Sequence, residues 1–237
     1  MKLKKAIALF IMFVLLLTGC AYPQSDDSGV TNPAIDSALV ETEDLTTVVV
    51  GQLADTHTIS PLPDTTMENL ADAILSISLD EGNTYVDEDG HTQMELQIYA
   101  YDKYDMVDIA GLKVGDTLVR YSGEVEVLSV ERNEAGRIYI NGGLENGGFD
   151  LTTDDSGIFY EIGFNDIKNW YQVGVATIRV SVDFVGVDRA DLDLGEVTIH
   201  PEDFLTGAVT NYDFSPYNTT VRVENGLIVE MNREFTP

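Results

Sequence analysis

Alternating apolar and polar residues recur along most of the chain, and this pattern constrains the fold more than any other feature. In "AILSISLD" and "TQMELQIYAY", every second residue is apolar, so each segment has one apolar face when it is extended. "TTVRVENGLIVEMNREF" joins two such segments through Asn225-Gly226, the dipeptide most typical of a two-residue hairpin turn. About ten to twelve short strands with little helix predict a mainly β fold, either an antiparallel sandwich or barrel-like sheets.

One or two short helices are expected beside the strands. "HPEDFLTG" places Pro201 at the first helical position and two acidic residues in the first turn, which favours a helix there. A second short helix is predicted after Asp64. The long β-branched segment "GVATIRVSVDFVGV" predicts a core strand with a bulge at Gly186, and a further strand is predicted around Thr46–Leu53.

The first twenty residues have the pattern of an export signal. A basic start, Met1 to Lys5, precedes an uncharged apolar segment from Ala6 to Leu17, which is shorter than the about 18–20 residues of a bilayer span. The tetrapeptide Leu17-Thr18-Gly19-Cys20 resembles the lipobox of bacterial lipoproteins, which carry a type II signal peptide. The resemblance implies cleavage before Cys20 and a diacylglycerol on its sulfur, which would hold the protein firmly on a membrane.

The resemblance also implies a location, and the composition and the alternating pattern of the remaining residues predict a domain order. We expect a lipid-anchored protein on the outer, extracytoplasmic face of the cell membrane, or in the outer membrane of a Gram-negative host. Residues 1–19 are then the signal peptide, 20–44 the anchor and a flexible acidic tether, and 45–237 a β-rich globular domain with a candidate seam near Gly111. The stretch "LKVGDTLVRYSGEVEVLSVE…INGGLENGG" is similar to uncharacterised lipoproteins of Gram-positive gut bacteria, a resemblance that implies no activity.

Charge and cysteine content narrow the range of partners. The chain has 41 acidic and 13 basic residues, a formal net charge of −28, which opposes binding to nucleic acid. A cationic ligand, a glycan or a protein partner is compatible with it, and so is a charge that only keeps the protein soluble. Cys20 is the only cysteine, so no internal disulfide can form and burial must stabilise the domain.

The segment "NGGLENGG" is the first candidate ligand site. Paired glycines let a backbone approach a ligand closely, and the residues concerned are Asn141, Gly142, Gly143, Gly147 and Gly148. A phosphate-binding loop would need a Lys-Ser/Thr and a following helix, which this segment lacks. Two readings stay open: a pair of left-handed turns, or a rigid loop that faces a ligand.

Aromatic residues form the second candidate site. Tyr99 and Tyr101 share one face of a predicted strand, and Trp170 precedes the long core strand. Exposed Tyr and Trp rings beside polar side chains bind sugars by stacking and hydrogen bonding. The alternative is that the three rings pack in the core or fill strand edges.

Acidic residues in "DRADLDLGE" form a candidate metal site. The residues Asp188, Asp191, Asp193 and Glu196 lie within nine positions, and Ca²⁺ prefers six to eight oxygen ligands. The segment does not complete a twelve-residue calcium loop, so a solvated acidic surface is the alternative. Calcium is the single cofactor that the residues suggest.

No residue is assigned a catalytic role. His57, His91 and His200 lie far apart in the sequence, and no G-x-S-x-G motif is present. The leading hypothesis is a non-catalytic binding module for an extracellular peptide, glycan or cation. The alternatives are an accessory protein of the cell envelope that works through protein partners and, third, a hydrolase whose carboxylates or histidines converge in a concave site.

Overall fold

The computed structural model describes residues 55–209 and 211–236, and all of them fall in one compact unit. The predicted signal peptide, the tether and the strand around Thr46–Leu53 lie outside the described residues. The described residues form fifteen strands and two α-helices, so the predicted mainly β fold is confirmed.

The elements follow in chain order. The strands are β1 Thr58–Ile59, β2 Ala73–Ser78, β3 Thr84–Val86, β4 Thr92–Tyr101, β5 Lys103–Tyr104, β6 Thr117–Arg120, β7 Gly123–Glu126, β8 Val130–Arg132, β9 Ile138–Ile140, β10 Phe149–Thr153, β11 Phe159–Ile162, β12 Trp170–Arg189, β13 Val197–Ile199, β14 Thr219–Glu224 and β15 Leu227–Glu234. The helices are α1 Met106–Gly111 and α2 Pro201–Thr206, and single 3-10 turns lie at Thr66–Asn69, Leu144–Asn146 and Phe164–Asp166.

Five strands close a barrel-like ring. The pairings run from β2 to β4, β12, β15, β14 and back to β2. Strand β12 closes the ring because its first half pairs antiparallel with β4 and its second half pairs parallel with β15. The parallel pair departs from the predicted antiparallel arrangement, and β3 and β13 extend the sheet at its ends.

The alternating residues fill the barrel, as predicted for β2 and β4. The inward positions there are almost completely buried, and only Ala73, at the end of its strand, is half-buried. Strands β12, β14 and β15 contribute Ile178, Val221 and Ile228 to the same core. Phe204 of α2 packs 5.7 Å from Phe214, measured between ring centroids, so the helix covers one end of the core.

The predicted bulge at Gly186 is wrong. Gly186 pairs in regular register with Met231 on one side and Ile199 on the other. A Cβ at this position would lie 2.6 Å from the carbonyl oxygen of Ile199, so the glycine permits close strand approach instead. The irregularities of β12 fall between Gln172 and Gly174 and between Val180 and Val185.

The predicted hairpin turn and the predicted start of α2, unlike the predicted bulge, agree with the structure. Asn225 and Gly226 have φ values of 51° and 75°, and they join β14 to β15 as the predicted hairpin. Helix α2 begins at Pro201, and the Asp203 carboxylate accepts a hydrogen bond from the backbone N–H of His200 at 2.7 Å. Helix α1 was not predicted, since its six residues are too few to show a helical period.

A second hydrophobic core lies between a three-stranded sheet, β1-β6-β7, and a five-stranded sheet, β5-β11-β10-β9-β8. Gly111, the predicted seam, is the last residue of α1, and this second core draws on residues on both sides of it. Asp116 is buried there and accepts hydrogen bonds from the backbone N–H groups of His57 (2.9 Å) and Lys113 (3.0 Å). Burial is the largest single influence and raises the pKa of Asp116, but the two hydrogen bonds and the attraction of nearby positive charge together outweigh it, so the pKa lies below its usual value.

Strand β2 offers a direct test of which face is inside. Ile77 is fully buried, whereas Ile74 on the opposite face is 74% exposed. We expect Ile77→Ala to lower the free energy of unfolding by about 2–5 kcal/mol, because it leaves a cavity in the barrel. Ile74→Ala should change it by less than about 0.5 kcal/mol. Urea unfolding of both variants measures the difference, and equal losses would contradict this orientation.

Candidate functional site

The predicted aromatic residues lie together on the outside of the barrel. Tyr99 and Tyr101 face outward because the alternate residues, Ile98 and Ala100, fill the core. Strand pairing sets Trp170, the first residue of β12, directly opposite Tyr101. All three aromatic residues are half-buried.

Tyr101 is the centre of an edge-to-face aromatic group. Its ring centroid lies 4.8 Å from that of Trp170, at an interplanar angle of 82°. On β11, Tyr160 lies 5.6 Å from Tyr101, at 75°. Such geometry is favourable for aromatic pairs, so the three rings support one another.

Two lysines complete this group. Lys168 Nζ lies 4.2 Å from the ring centroid of Tyr101, 4.8 Å from that of Tyr160 and 5.8 Å from that of Trp170, and it donates a hydrogen bond to the Tyr101 hydroxyl at 3.1 Å. Lys103 Nζ lies 5.0 Å from the Tyr101 centroid. Among residues 55–209 and 211–236, no carboxylate lies within 4.0 Å of either ammonium group. We call these three rings and two lysines the Trp170 cluster.

The Trp170 cluster borders a cavity of about 230 Å³. Tyr101, Trp170 and both lysines border it, together with the polar side chains of Thr66, Ser76 and Tyr99. Cavities that hold drug-sized ligands typically measure about 300–1,000 Å³. The size therefore suits one ring of a ligand at a time.

A second, smaller cavity of about 160 Å³ also borders Trp170. Tyr121 and Tyr171 line it and stack face to face, with centroids 4.0 Å apart and an interplanar angle of 4°. Burial first, and then the nearby carboxylate of Asp102, raise the pKa of Tyr171. Tyr171 therefore stays protonated and presents a hydroxyl.

The two carboxylates of this smaller cavity are already engaged. Glu161 accepts two hydrogen bonds from the guanidinium of Arg120 and one from Asn169 Nδ2 at 2.8 Å. Asp102 accepts a hydrogen bond from the backbone N–H of Tyr121 at 2.7 Å. These bonds hold both carboxylates in place, which suits a positioning role better than proton transfer.

The "NGGLENGG" loop forms left-handed turns whose polar groups bond within the protein. Asn141, Gly142, Gly143 and Gly147 all have φ between 53° and 84°. The Asn141 side chain accepts a hydrogen bond from the backbone N–H of Leu128 at 2.7 Å and donates one to the carbonyl of Glu126 at 2.9 Å. None of the five predicted residues borders the two cavities beside Trp170.

Three of the four candidate calcium ligands accept hydrogen bonds from other groups of the protein. Asp188 pairs with the Arg233 guanidinium at 2.9 and 2.5 Å, and Glu196 accepts a hydrogen bond from Arg189 at 3.1 Å. Asp191 accepts a hydrogen bond from the backbone N–H of Asp193 at 2.9 Å. In the described part of the chain, no three His, Cys, Asp or Glu side chains are grouped as metal ligands would be.

Two of the three histidines meet in another cavity. His91 and His200 border a space of about 390 Å³ together with Arg179. Ser181 also borders it, and its hydroxyl accepts a hydrogen bond from the backbone N–H of Asp183 at 3.2 Å. His57 does not border this space.

Sequence patterns did not predict Lys103, Lys168 or Tyr160 as site residues. A signal was present, since Lys103 follows Tyr101 by two positions and Lys168 precedes Trp170 by two. Tyr160 carries no such signal, because its place beside Tyr101 depends on how β11 packs.

Comparison with known proteins adds no functional information. The chain matches no protein-family model, no curated protein and no solved structure. Within the described residues, no helix combines the length and the apolar character needed to cross a bilayer.

Glycines 147 and 148 allow a test of the loop. A Cβ at Gly148 would lie 1.9 Å from the carbonyl oxygen of Ile140, whereas a Cβ at Gly147 meets nothing within 4 Å. We expect Gly148→Ala to lower the free energy of unfolding by about 3 kcal/mol or more, because backbone must move. Gly147→Ala should cost about 1–2 kcal/mol, since only its positive φ is strained. Urea unfolding measures both, and the reverse order would contradict the described loop.

Proposed function

We propose that the protein is a membrane-anchored, extracytoplasmic lipoprotein that binds an extracellular saccharide without catalysis. The observation that carries the proposal is the Trp170 cluster, an outward aromatic group at a cavity about one ring in size. Aromatic faces take up the apolar C–H face of a sugar ring, while polar side chains at the rim bind its hydroxyls. Ser76 supplies such a group here, and the hydroxyls of Thr66 and Tyr99, which donate to Asp64 and Gln97, can act as acceptors.

The topology of the barrel supports a ligand site on the outer face of β4 and β12, where the Trp170 cluster lies. The five ring strands are, in chain order, β2, β4, β12, β14 and β15. Around the ring their spatial order is first, second, third, fifth and fourth, and the third and fifth strands are parallel. This order corresponds to that of the OB-fold, in which the face of the second and third strands binds oligonucleotides or oligosaccharides. Tyr101 and Trp170 lie on the matching strands, β4 and β12. The analogy concerns the fold alone, and it supports only the choice of face.

The net charge of the chain favours an oligosaccharide over an oligonucleotide as the ligand. A formal net charge of −28 opposes the many phosphate contacts that nucleic acid binding requires. A saccharide needs few charged contacts, so the same surface tolerates it. We therefore favour a glycan over nucleic acid.

Membrane anchoring is the part of the proposal that depends on Cys20. The full chain expressed in a bacterium should fractionate with membranes, because two or more acyl chains bind a bilayer firmly. Cys20→Ala should move the protein to the soluble extracytoplasmic fraction, and Cys20→Ser serves as a second variant that lacks the sulfur. Immunoblots of both fractions measure the change. Unaltered membrane binding of both variants would contradict lipid anchoring.

Glycan binding can be followed through Trp170, the only tryptophan of the chain. We expect a saccharide ligand to change the tryptophan fluorescence of the full chain in detergent, because the ring would stack at the cavity. Tyr101→Ala should weaken binding at least tenfold, or about 1.4 kcal/mol, since it removes the centre of the aromatic group. Tyr85→Ala, at an exposed position on β3, is the matched control.

The same titration separates the proposal from its main alternative. Equal affinities of Tyr101→Ala and Tyr85→Ala would exclude the Trp170 cluster as the glycan site. A flat response to every glycan of a broad panel would instead favour an accessory role through protein partners. That role is supported by Leu192 and Leu194, which are 69% and 71% exposed near the edge strand β13.

A further inference from the structure

We propose that the saccharide bound at the Trp170 cluster carries a carboxylate, as a uronic acid does. This inference rests on the proposed function, and it adds the chemical class of the ligand. It is drawn from the two lysines of the cluster and from the way the other basic side chains of the protein are used.

Basic side chains are scarce in this chain, and most of the arginines are paired. Five of the seven arginines form ion pairs with carboxylates, namely Arg120, Arg137, Arg189, Arg222 and Arg233. The described residues contain three lysines, and two of them, Lys103 and Lys168, border the same small cavity. With 41 acidic residues in the chain, it is unexpected that two lysines share a cavity and that neither pairs with a carboxylate of residues 55–209 or 211–236.

The two ammonium groups are positioned to attract an anion. Both lie within 5.0 Å of the ring centroid of Tyr101, so two positive charges are held near one ring. An ammonium group has three hydrogen-bond donors, and Lys168 uses one of them on the Tyr101 hydroxyl. A carboxylate in the cavity would accept a hydrogen bond from one of the remaining N–H donors, and its negative charge would reduce the repulsion between the lysines.

Neighbouring acids do not replace such a ligand. Asp154 is a carboxylate that Lys168 influences, but its pKa is lowered chiefly by a hydrogen bond from the Ser156 hydroxyl, at 2.5 Å. No ion pair within 4.0 Å joins Asp154 to Lys168 in the described part of the chain. The Lys168 ammonium group instead lies over the aromatic rings and borders the cavity.

The overall negative charge is compatible with a carboxylated sugar. At physiological ionic strength the Debye length is about 8 Å, so distant carboxylates of the protein are largely screened. The attraction between a lysine and a ligand carboxylate in direct contact is screened much less, because the two charges lie far closer than the Debye length. A uronic acid carries a single charge per ring, and the cavity of about 230 Å³ suits one ring.

Matched charged and neutral ligands test the inference. The full chain in detergent is titrated with tetragalacturonate and with the same tetramer as its neutral methyl ester, in EDTA, by calorimetry and by Trp170 fluorescence. We expect the charged tetramer to bind at least tenfold more tightly. Equal affinities would overturn the carboxylate assignment and leave glycan binding in place. Absence of binding by both tetramers, together with a flat response to neutral glycans, would overturn the proposed function as well.

Lysine variants identify the groups that recognise the charge. Lys103→Met and the double variant Lys103→Met/Lys168→Met keep the length of the side chains, and the double variant should bind both tetramers with equal affinity. Lys113→Met is the matched control, because it removes one positive charge at an exposed position away from the cavity. Lys103→Met alone should lose at least threefold of the charge preference, and thermal unfolding confirms that it is folded. Retention of the full preference by both lysine variants would exclude the lysines as the recognition groups.

Discussion

Strand β12 is the element on which both the barrel and the site depend. Its twenty residues pair with β4 through the first half and with β15 through the second half. A flat strand of this length would extend for about 65 Å, so it must curve to stay within one barrel. The two register shifts, at Gln172–Gly174 and Val180–Val185, supply local bends, since bulges increase strand twist.

The Trp170 cluster lies where the barrel meets the second core. Tyr101 and Trp170 belong to the barrel, while Lys103 and Tyr160 belong to the five-stranded sheet. A single residue, Asp102, separates β4 from β5, and its carboxylate accepts a hydrogen bond from the backbone N–H of Tyr121. This short connection holds Lys103 close to Tyr101, and the geometry of the cluster therefore depends on how the two cores pack.

Alternation predicted the faces of the barrel strands because it is a local property. The buried positions of β2 and β4 and the Asn225-Gly226 turn follow from residues adjacent in the chain. Closure of the ring could not be predicted in this way, since the partners of β12 lie far away in sequence and one of them is parallel. The bulge was misplaced for the same reason, because Gly186 is required by contact with Ile199 and not by the local pattern.

In the candidate site, too, some residues could be identified from the local sequence and others only from the tertiary structure. The sequence identified Tyr99, Tyr101 and Trp170 as candidate aromatic residues but left open whether they face outward or pack in the core. Their convergence depends on the register that sets Trp170 opposite Tyr101. The lysines and Tyr160 join them through a different sheet. Conversely, the "NGGLENGG" loop stood out in sequence, yet its glycines are explained by turn geometry and by close approach to the Ile140 carbonyl.

The two lysines could also stabilise the fold without binding a ligand. A cation over an aromatic ring contributes about 0.5–2 kcal/mol, so Lys168, which faces three rings, can stabilise the junction of the two cores. Lys103 faces one ring at 5.0 Å and makes no side-chain hydrogen bond with the described residues, so its contribution to stability should be small. Stabilisation alone therefore accounts for Lys168 but leaves the position of Lys103 unexplained. Recognition of an anionic ligand accounts for both lysines, because each borders the cavity.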